Sequence, residues 1–316
     1  MLGGERAAVA EALNLADDQR PEARAAAIAL LTRLERELPF PGTPRVGITG
    51  APGAGKSTLL DAIVRNLRGR DETVAIAAVD PSSRATGGAL LGDRIRVRSA
   101  ASDPGVFVRS LAARSRLGGL SDVARASVTI LSAVFDHVFV ETVGVGQSES
   151  EVAGLVDTLV FVANPASGDE LQYMKSGLLE LPDVFAVNKS DLGAIARRTT
   201  SELEAARALA RPSGDGWVPP VISISARDSE GIDALLEAIE AHRAHTEACG
   251  SLAERRASGA RDFVIDALQM QFGSYGLDRV GGEDALRRRM QERPGSAFAW
   301  TDALSREIED ALRKPA

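Results

Sequence analysis

The run Gly50-Ala51-Pro52-Gly53-Ala54-Gly55-Lys56-Ser57 fits the spacing G-x-x-x-x-G-K-[ST], and the helix-forming stretch Thr58-Leu59-Leu60-Asp61-Ala62-Ile63 follows it directly. Glycines in such a loop let backbone N–H groups converge on phosphate oxygens at a helix N-terminus, where the amides and the dipole already favour an anion. The spacing predicts a phosphate cradle built from Gly53, Ala54, Gly55, Lys56, Ser57 and Thr58. In it Lys56 reaches the β and γ phosphates and the Ser57 hydroxyl ligates Mg²⁺. Magnesium needs further hard oxygen ligands, usually a carboxylate at the end of a neighbouring strand. Asp80 ends the apolar run Val74 to Val79, and Glu141 ends Val138-Phe139-Val140. Glu141-Thr142-Val143-Gly144 also has the form acid-x-x-Gly, in which the Gly144 N–H senses a γ-phosphate and drives a switch segment.

Asn188-Lys189-Ser190-Asp191 closes a further apolar run, Val184-Phe185-Ala186-Val187, and fits N-K-x-D. An aspartate carboxylate accepts from both N1–H and N2–H₂ of guanine, whereas adenine has no matching donor pair. Two charge-assisted hydrogen bonds of about 1.5–3 kcal/mol each favour GTP over ATP by roughly two to four orders of magnitude. Lys189 is expected along the base plane. Ser225-Ala226 ends the next run, where a backbone N–H can meet guanine O6. The order of these motifs, each at a strand end, predicts a site for GTP or GDP with Mg²⁺.

These motifs need a sheet to hold them. Short β-branched runs at Val46 to Thr49, Thr73 to Val79, Val138 to Glu141, Thr158 to Ala163, Val184 to Val187 and Val221 to Ser225 alternate with helical stretches. That alternation predicts a mostly parallel sheet with crossover helices, an α/β fold of the P-loop GTPase kind. Ligands bind beyond the carboxyl ends of strands in such sheets, where the motifs lie. Two helices divided at Pro21 precede the sheet, and Pro39 to Pro44 reads as a linker. Helices are expected again at Ser251 to Phe272, Glu283 to Glu292 and Trp300 to Lys314. The division is therefore an N-terminal helical extension over 1–44, a P-loop GTPase domain over 45–248 and a C-terminal helical arm over 249–316.

With 316 residues, 44% of them apolar, the chain can bury a large core without staples. Cys249 is its only cysteine, so no internal disulfide or thiolate cluster is available. His242 and His245 can share a helix face, but without neighbouring thiols they read as solvated surface, and a soft-ligand metal is not expected. The net charge of −7 argues against a nucleic-acid partner. No apolar stretch is long enough for a membrane span, and acidic residues near the start disfavour a presequence, so the expected location is cytoplasmic. Only four lysines, Lys56, Lys175, Lys189 and Lys314, stand among 37 basic residues. Two of the four fall inside the nucleotide motifs, where a compact ammonium is not interchangeable with a guanidinium.

Three segments go beyond a generic GTPase: Val79-Asp80-Pro81-Ser82-Ser83, Gly87-Gly88-Ala89-Leu90-Leu91-Gly92-Asp93-Arg94, and Glu141 through Glu149. Together they resemble the MeaB/ArgK-type GTPases of the G3E group, over about residues 45 to 245. The resemblance implies Asp80 and Glu141 at Mg²⁺, Asp93 in a switch segment and Lys175 in a further switch. It implies a homodimer joined through the C-terminal helices. It also implies a chaperone role toward an adenosylcobalamin-dependent acyl-CoA mutase, with a cobalamin adenosyltransferase as a further partner. Asn164-Pro165-Ala166-Ser167 and Arg94 depart from the family pattern. No D-x-H-x-x-G signature occurs, so the corrinoid is not expected on this chain. The competing readings are a P-loop kinase and a nickel-type metallochaperone GTPase. Val145 follows Gly144, where other GTPases place a water-orienting glutamine, so slow intrinsic turnover is expected.

Overall fold

The computed structural model describes residues 6–18, 20–81, 103–113, 119–142, 152–165, 181–209 and 214–313. Seven strands, β1 (Arg45–Thr49), β2 (Val74–Pro81), β3 (Val106–Ala113), β4 (His137–Glu141), β5 (Thr158–Ala163), β6 (Val184–Val187) and β7 (Val221–Ser223), form one sheet in the order β3-β2-β4-β1-β5-β6-β7. Every pairing is parallel. Among the described residues there are nine helices: α1 (Arg6–Asp17), α2 (Pro21–Glu37), α3 (Lys56–Arg68), α4 (Gly119–Ser132), α5 (Ala194–Leu209), α6 (Ile232–Cys249), α7 (Ser251–Asp278), α8 (Gly282–Glu292) and α9 (Ala297–Arg313). This is the expected α/β class.

Alternation along the strands sends side chains to both faces of the sheet. Val46, Ile48, Ile76, Phe139, Val160 and Val162 meet α3 and α6 on one face. Ala75, Ala77, Val138, Val140 and Leu159 face the other way, where one cluster takes in α1, α2, α4 and the terminal helices α7, α8 and α9. The helices from both ends of the chain thus cover the same side of the sheet. Strand β1 lies between β4 and β5, and the chain leaves it first toward β2 and later returns to its other side at β5. The strand order reverses there, which opens a crevice at the carboxyl ends.

Two local expectations need correction. Strand β3 was not anticipated: its apolar run Val106-Phe107-Val108 is cut short by Arg109 and Ser110, which an edge strand tolerates. Strand β7 stops at Ser223 rather than Ser225, because Ser225 turns away to pair antiparallel with Glu230.

The segment read as a linker is tied down. Thr43 Oγ1 donates to the carbonyls of Ser132 (2.9 Å) and Phe135 (3.0 Å), and Arg256 of α7 reaches the carbonyl of Pro41 at 2.7 Å. At the same end of the sheet, Asp157 and Asp183 precede β5 and β6. Arg256 Nη2 pairs with Asp157 Oδ2 and Arg255 Nη1 with Asp183 Oδ2, both at 2.6 Å. Adjacent arginines at the root of α7 thereby fasten it to two neighbouring strands.

His242 is a third correction. It is fully buried, not solvated, with Nδ1 2.8 Å from Thr158 Oγ1 and Nε2 3.2 Å from Asp183 Oδ1. A carboxylate taken out of water needs such partners. Burial pushes the Asp183 carboxyl up, but His242 and Arg255 outweigh it and hold its pKa below the ordinary value.

Candidate functional site

The loop after β1 swings through Gly50, Gly53 and Gly55, all at positive φ, into the first turn of α3. At Gly50 an added Cβ would lie 2.2 Å from the Val162 carbonyl oxygen; at Gly55 it would lie 2.5 Å from Asn188 Nδ2. Both positions combine a left-handed backbone with no room for a side chain, so only glycine fits. Lys56 opens α3 and is almost fully buried. Its Nζ donates to the carbonyls of Gly50 (2.6 Å) and Ala51 (3.1 Å), which curls the ammonium back over the loop.

One residue on, Ser57 Oγ donates to Glu141 Oε1 at 2.8 Å. Register brings this about: Ile48 of β1 pairs with Glu141 of β4, so the end of β4 faces the start of α3. The next pair is also tied, Thr142 Oγ1 donating to Thr49 Oγ1 at 2.9 Å. A hydroxyl and a carboxylate converging beside a phosphate-type loop form a hard-oxygen pair that suits Mg²⁺. Asp80 lies two residues beyond Ala78, the β2 partner of Glu141, which sets its backbone at the same end of the sheet. Its side chain, and all of Asp93, Gly144 and Lys175, lie outside the described residues.

The base-reading motif is assembled around Asn188. Its Nδ2 donates to the Ala54 carbonyl (2.8 Å), and its Oδ1 accepts from the Lys189 N–H (2.8 Å) and the Ala226 N–H (3.0 Å). One buried amide thus fastens three loops from the ends of β1, β6 and β7. Lys189 sits at φ 60°, and its Nζ donates to the Gly53 carbonyl and to Asn164 Oδ1, each at 3.0 Å. Asp191 follows in a short 3₁₀ turn. It accepts from Ser225 Oγ at 3.2 Å and pairs with Arg227 Nη2 at 3.2 Å. Asp228, hydrogen-bonded by Arg227 and Ser225, titrates below the ordinary carboxylate value, and its bond to Arg227, with the nearby Asp191 charge, raises the guanidinium.

Gly53, Ala54, Gly55, Lys56, Ser57 and Thr58 therefore meet Glu141, Asn188, Lys189, Asp191, Ser225 and Ala226 along one edge of the sheet. Sequence reasoning missed Asn164 and Arg227 as members. Asn164 directly follows β5, and Arg227 directly follows Ser225-Ala226, so their places at strand ends were the available signal.

A family model described as methylmalonyl Co-A mutase-associated GTPase MeaB matches residues 9–273. The chain belongs to the MeaB family. Its match takes in the N-terminal helices and most of α7, more than the region carrying the motifs, and ends at Gly273, where α7 breaks its helical backbone. A probable GTPase of Mycobacterium tuberculosis is 41% identical over 309 residues, covering 96% of this chain and 90% of that protein. GTPase ArgK of Escherichia coli is 40% identical over 260 residues, covering 80% and 77%. The mouse protein described as methylmalonic aciduria type A homolog, mitochondrial, is 36% identical over 280 residues, covering 85% and 68%. A solved structure described as an LAO/AO transport system kinase superposes with a TM-score of 0.72 at 29% identity, covering 98% of this chain and 95% of that one. As a member of this family the chain binds guanine nucleotides and hydrolyses GTP. Among the described residues, no helix is long and apolar enough to cross a membrane.

Proposed function

We propose that this GTPase is a nucleotide-operated chaperone of an adenosylcobalamin-dependent acyl-CoA mutase, gating cobalamin loading and protecting or reactivating the enzyme. The family match over residues 9–273 carries this reading, because it runs beyond the nucleotide motifs into the helices that distinguish this chain from a bare GTPase. The name of the mouse relative points the same way. A homodimer joined through the C-terminal helices and a cobalamin adenosyltransferase as second partner belong to the same reading, as does action in the cytoplasm.

In this mechanism the 50–58 loop holds the phosphates, with Lys56 exchanging its carbonyl contacts for β and γ phosphate oxygens. Asp191 reads the guanine edge, the Ala226 N–H meets O6 and Lys189 flanks the base. Ser57, Glu141 and Asp80 would hold Mg²⁺, which, when bound, neutralises charge on the phosphates. Water attacks the γ phosphorus, the bond to the β–γ bridging oxygen breaks, and GDP, phosphate and a proton leave. Gly144 senses the γ-phosphate, and Asp93 and Lys175 move with it in switch segments. Val145 cannot orient the attacking water, so turnover is slow until a partner completes the site, an effect that reaches roughly 10³–10⁵ when the added group is an arginine.

GTP hydrolysis measured with and without candidate mutases tests this. The expected result is slow basal turnover, stimulated by one mutase, with Lys175→Ala keeping GTP binding and basal rate but losing the stimulation. Fast unassisted turnover, or no response to any acyl-CoA mutase, would overturn the chaperone reading; undiminished stimulation of Lys175→Ala would remove that residue from the coupling.

A further inference from the structure

At the opposite end of α6 from its Gly231 start, a second group of donors gathers that nucleotide chemistry does not use. His245 and Cys249 lie four apart on α6 and so share one face. Asp215, in the segment before β7, approaches them, and the three donor atoms all lie within 4.8 Å of one another.

Each member is already oriented. The Asp215 carboxylate accepts from Ser251 Oγ (3.0 Å) and from the Trp217 N–H (3.1 Å). His245 Nε2 lies 3.1 Å from the Asp215 carbonyl oxygen, which can only accept, so that nitrogen carries a proton and Nδ1 is the ring atom left to serve as a ligand. Trp217 packs beside the ring, with centroids 5.4 Å apart, and shields that side from water. Cys249 is exposed, which leaves an entry path for an ion. Fixed tautomer, hydrogen-bonded carboxylate and an apolar wall are the outer supports that metal ligands commonly have.

From this arrangement we infer a divalent transition-metal site at Asp215, His245 and Cys249, of the chemistry that takes Zn²⁺. Oxygen, nitrogen and sulfur donors together suit a borderline ion, whereas Mg²⁺ and Ca²⁺ take oxygen alone. With bonds of about 2.0–2.3 Å, tetrahedral ligands stand about 3.5 Å apart, so the donors must draw in from a spread of up to 4.8 Å. Binding releases the thiol proton, and water fills the remaining position.

The placement assigns the site a clasp role. Cys249 ends α6, Gly250 turns in the left-handed region and Ser251 begins α7. An ion there fastens the segment before β7 to the root of the helical arm, far from Lys56 and Asp191 in the fold.

The test uses the full chain saturated with Mg²⁺ and GDP, so that the nucleotide site is closed to added metal. Zn²⁺ is titrated calorimetrically, Co²⁺ is followed by its thiolate charge-transfer absorption, and melting temperature is recorded. The site requires one equivalent bound more tightly than about 1 µM, a charge-transfer band, and a rise in melting temperature. All three must vanish in Cys249→Ser and weaken at least tenfold in Asp215→Asn. His245→Gln serves as a further variant, and circular dichroism with GDP binding checks folding. Weaker binding, absence of the band, or a band unchanged in Cys249→Ser would overturn the site.

Discussion

Asp191 is held from two sides, by the Ser225 hydroxyl and the Arg227 guanidinium. These contacts keep the carboxylate aimed along the strand-end edge while Asn188 sets the loop beneath it. Replacing Asp191 by Asn keeps an acceptor for Ser225 but exchanges a carboxylate oxygen for an N–H donor. The amide can then donate to O2 of xanthine, where guanine carries its amino group. GTP affinity is expected to fall about a hundredfold or more, with two charge-assisted bonds of about 1.5–3 kcal/mol each at stake, and XTP binding is expected to appear. Competition of both nucleotides against a fluorescent GDP analogue measures this; a variant that still prefers GTP would deny Asp191 its base-reading role. Asn164 and Lys189 show a different economy. A compact ammonium bridges the Gly53 carbonyl and the Asn164 amide oxygen, a reach between two loops that a planar guanidinium would not reproduce.

Helix α7 packs tightly against the rest of the chain at Gly259. A Cβ there would lie 2.1 Å from the carbonyl oxygen of Gly154, in the turn leading into β5. Because the obstruction is backbone, it cannot rotate away, and Gly259→Ala must push the helix off the sheet side. The expected cost is about 1–3 kcal/mol, the usual range for overpacking, seen as a melting temperature lower by several degrees. GDP affinity should stay near the wild-type value, since the loops around Lys56 and Asp191 lie at the other end of β5. An unchanged melting temperature would mean that α7 does not need this contact. The same helix supplies Arg255 and Arg256, so its first turns act as a fastening and its later turns as part of the apolar layer.

Over the molecule as a whole, the carboxyl edge of the sheet is given to nucleotide and the amino edge to fastening the helical layer. Asp183 belongs to the second. Its folded pKa is depressed, while the unfolded carboxyl titrates near about 3.9. Between those two values the unfolded chain binds more protons, so stability rises with pH there. The contribution is fully present above the unfolded pKa and is lost as pH falls through the folded one. Thermal melts from pH 6 down to pH 3 should therefore show wild type losing stability more steeply below about pH 4 than Asp183→Asn, with the two curves converging in acid. Parallel curves would show that Asp183 is not held ionised by His242 and Arg255.

The nucleotide motifs were legible because each is contiguous and sits where a strand hands over to a loop. Gly50 to Ser57 and Asn188 to Asp191 dictate their own backbone, and the parallel direction of the strands puts them at one end of the sheet. Nothing periodic marks Asn164 against Lys189, 25 residues apart, or Asp157 against Arg256, 99 apart. Only the packed sheet brings such pairs within hydrogen-bond reach. His242 shows the limit most plainly. A histidine on an amphipathic helix reads as surface until the fold buries Asp183 beside it, and the cost of that buried carboxylate decides what its neighbours must be. His245, one turn on along the same helix, stays half exposed and meets Asp215 and Cys249 instead. The sequence could place both imidazoles on one helix face, but only the tertiary structure, by choosing which carboxylate meets which ring, separated a core residue from a candidate metal ligand.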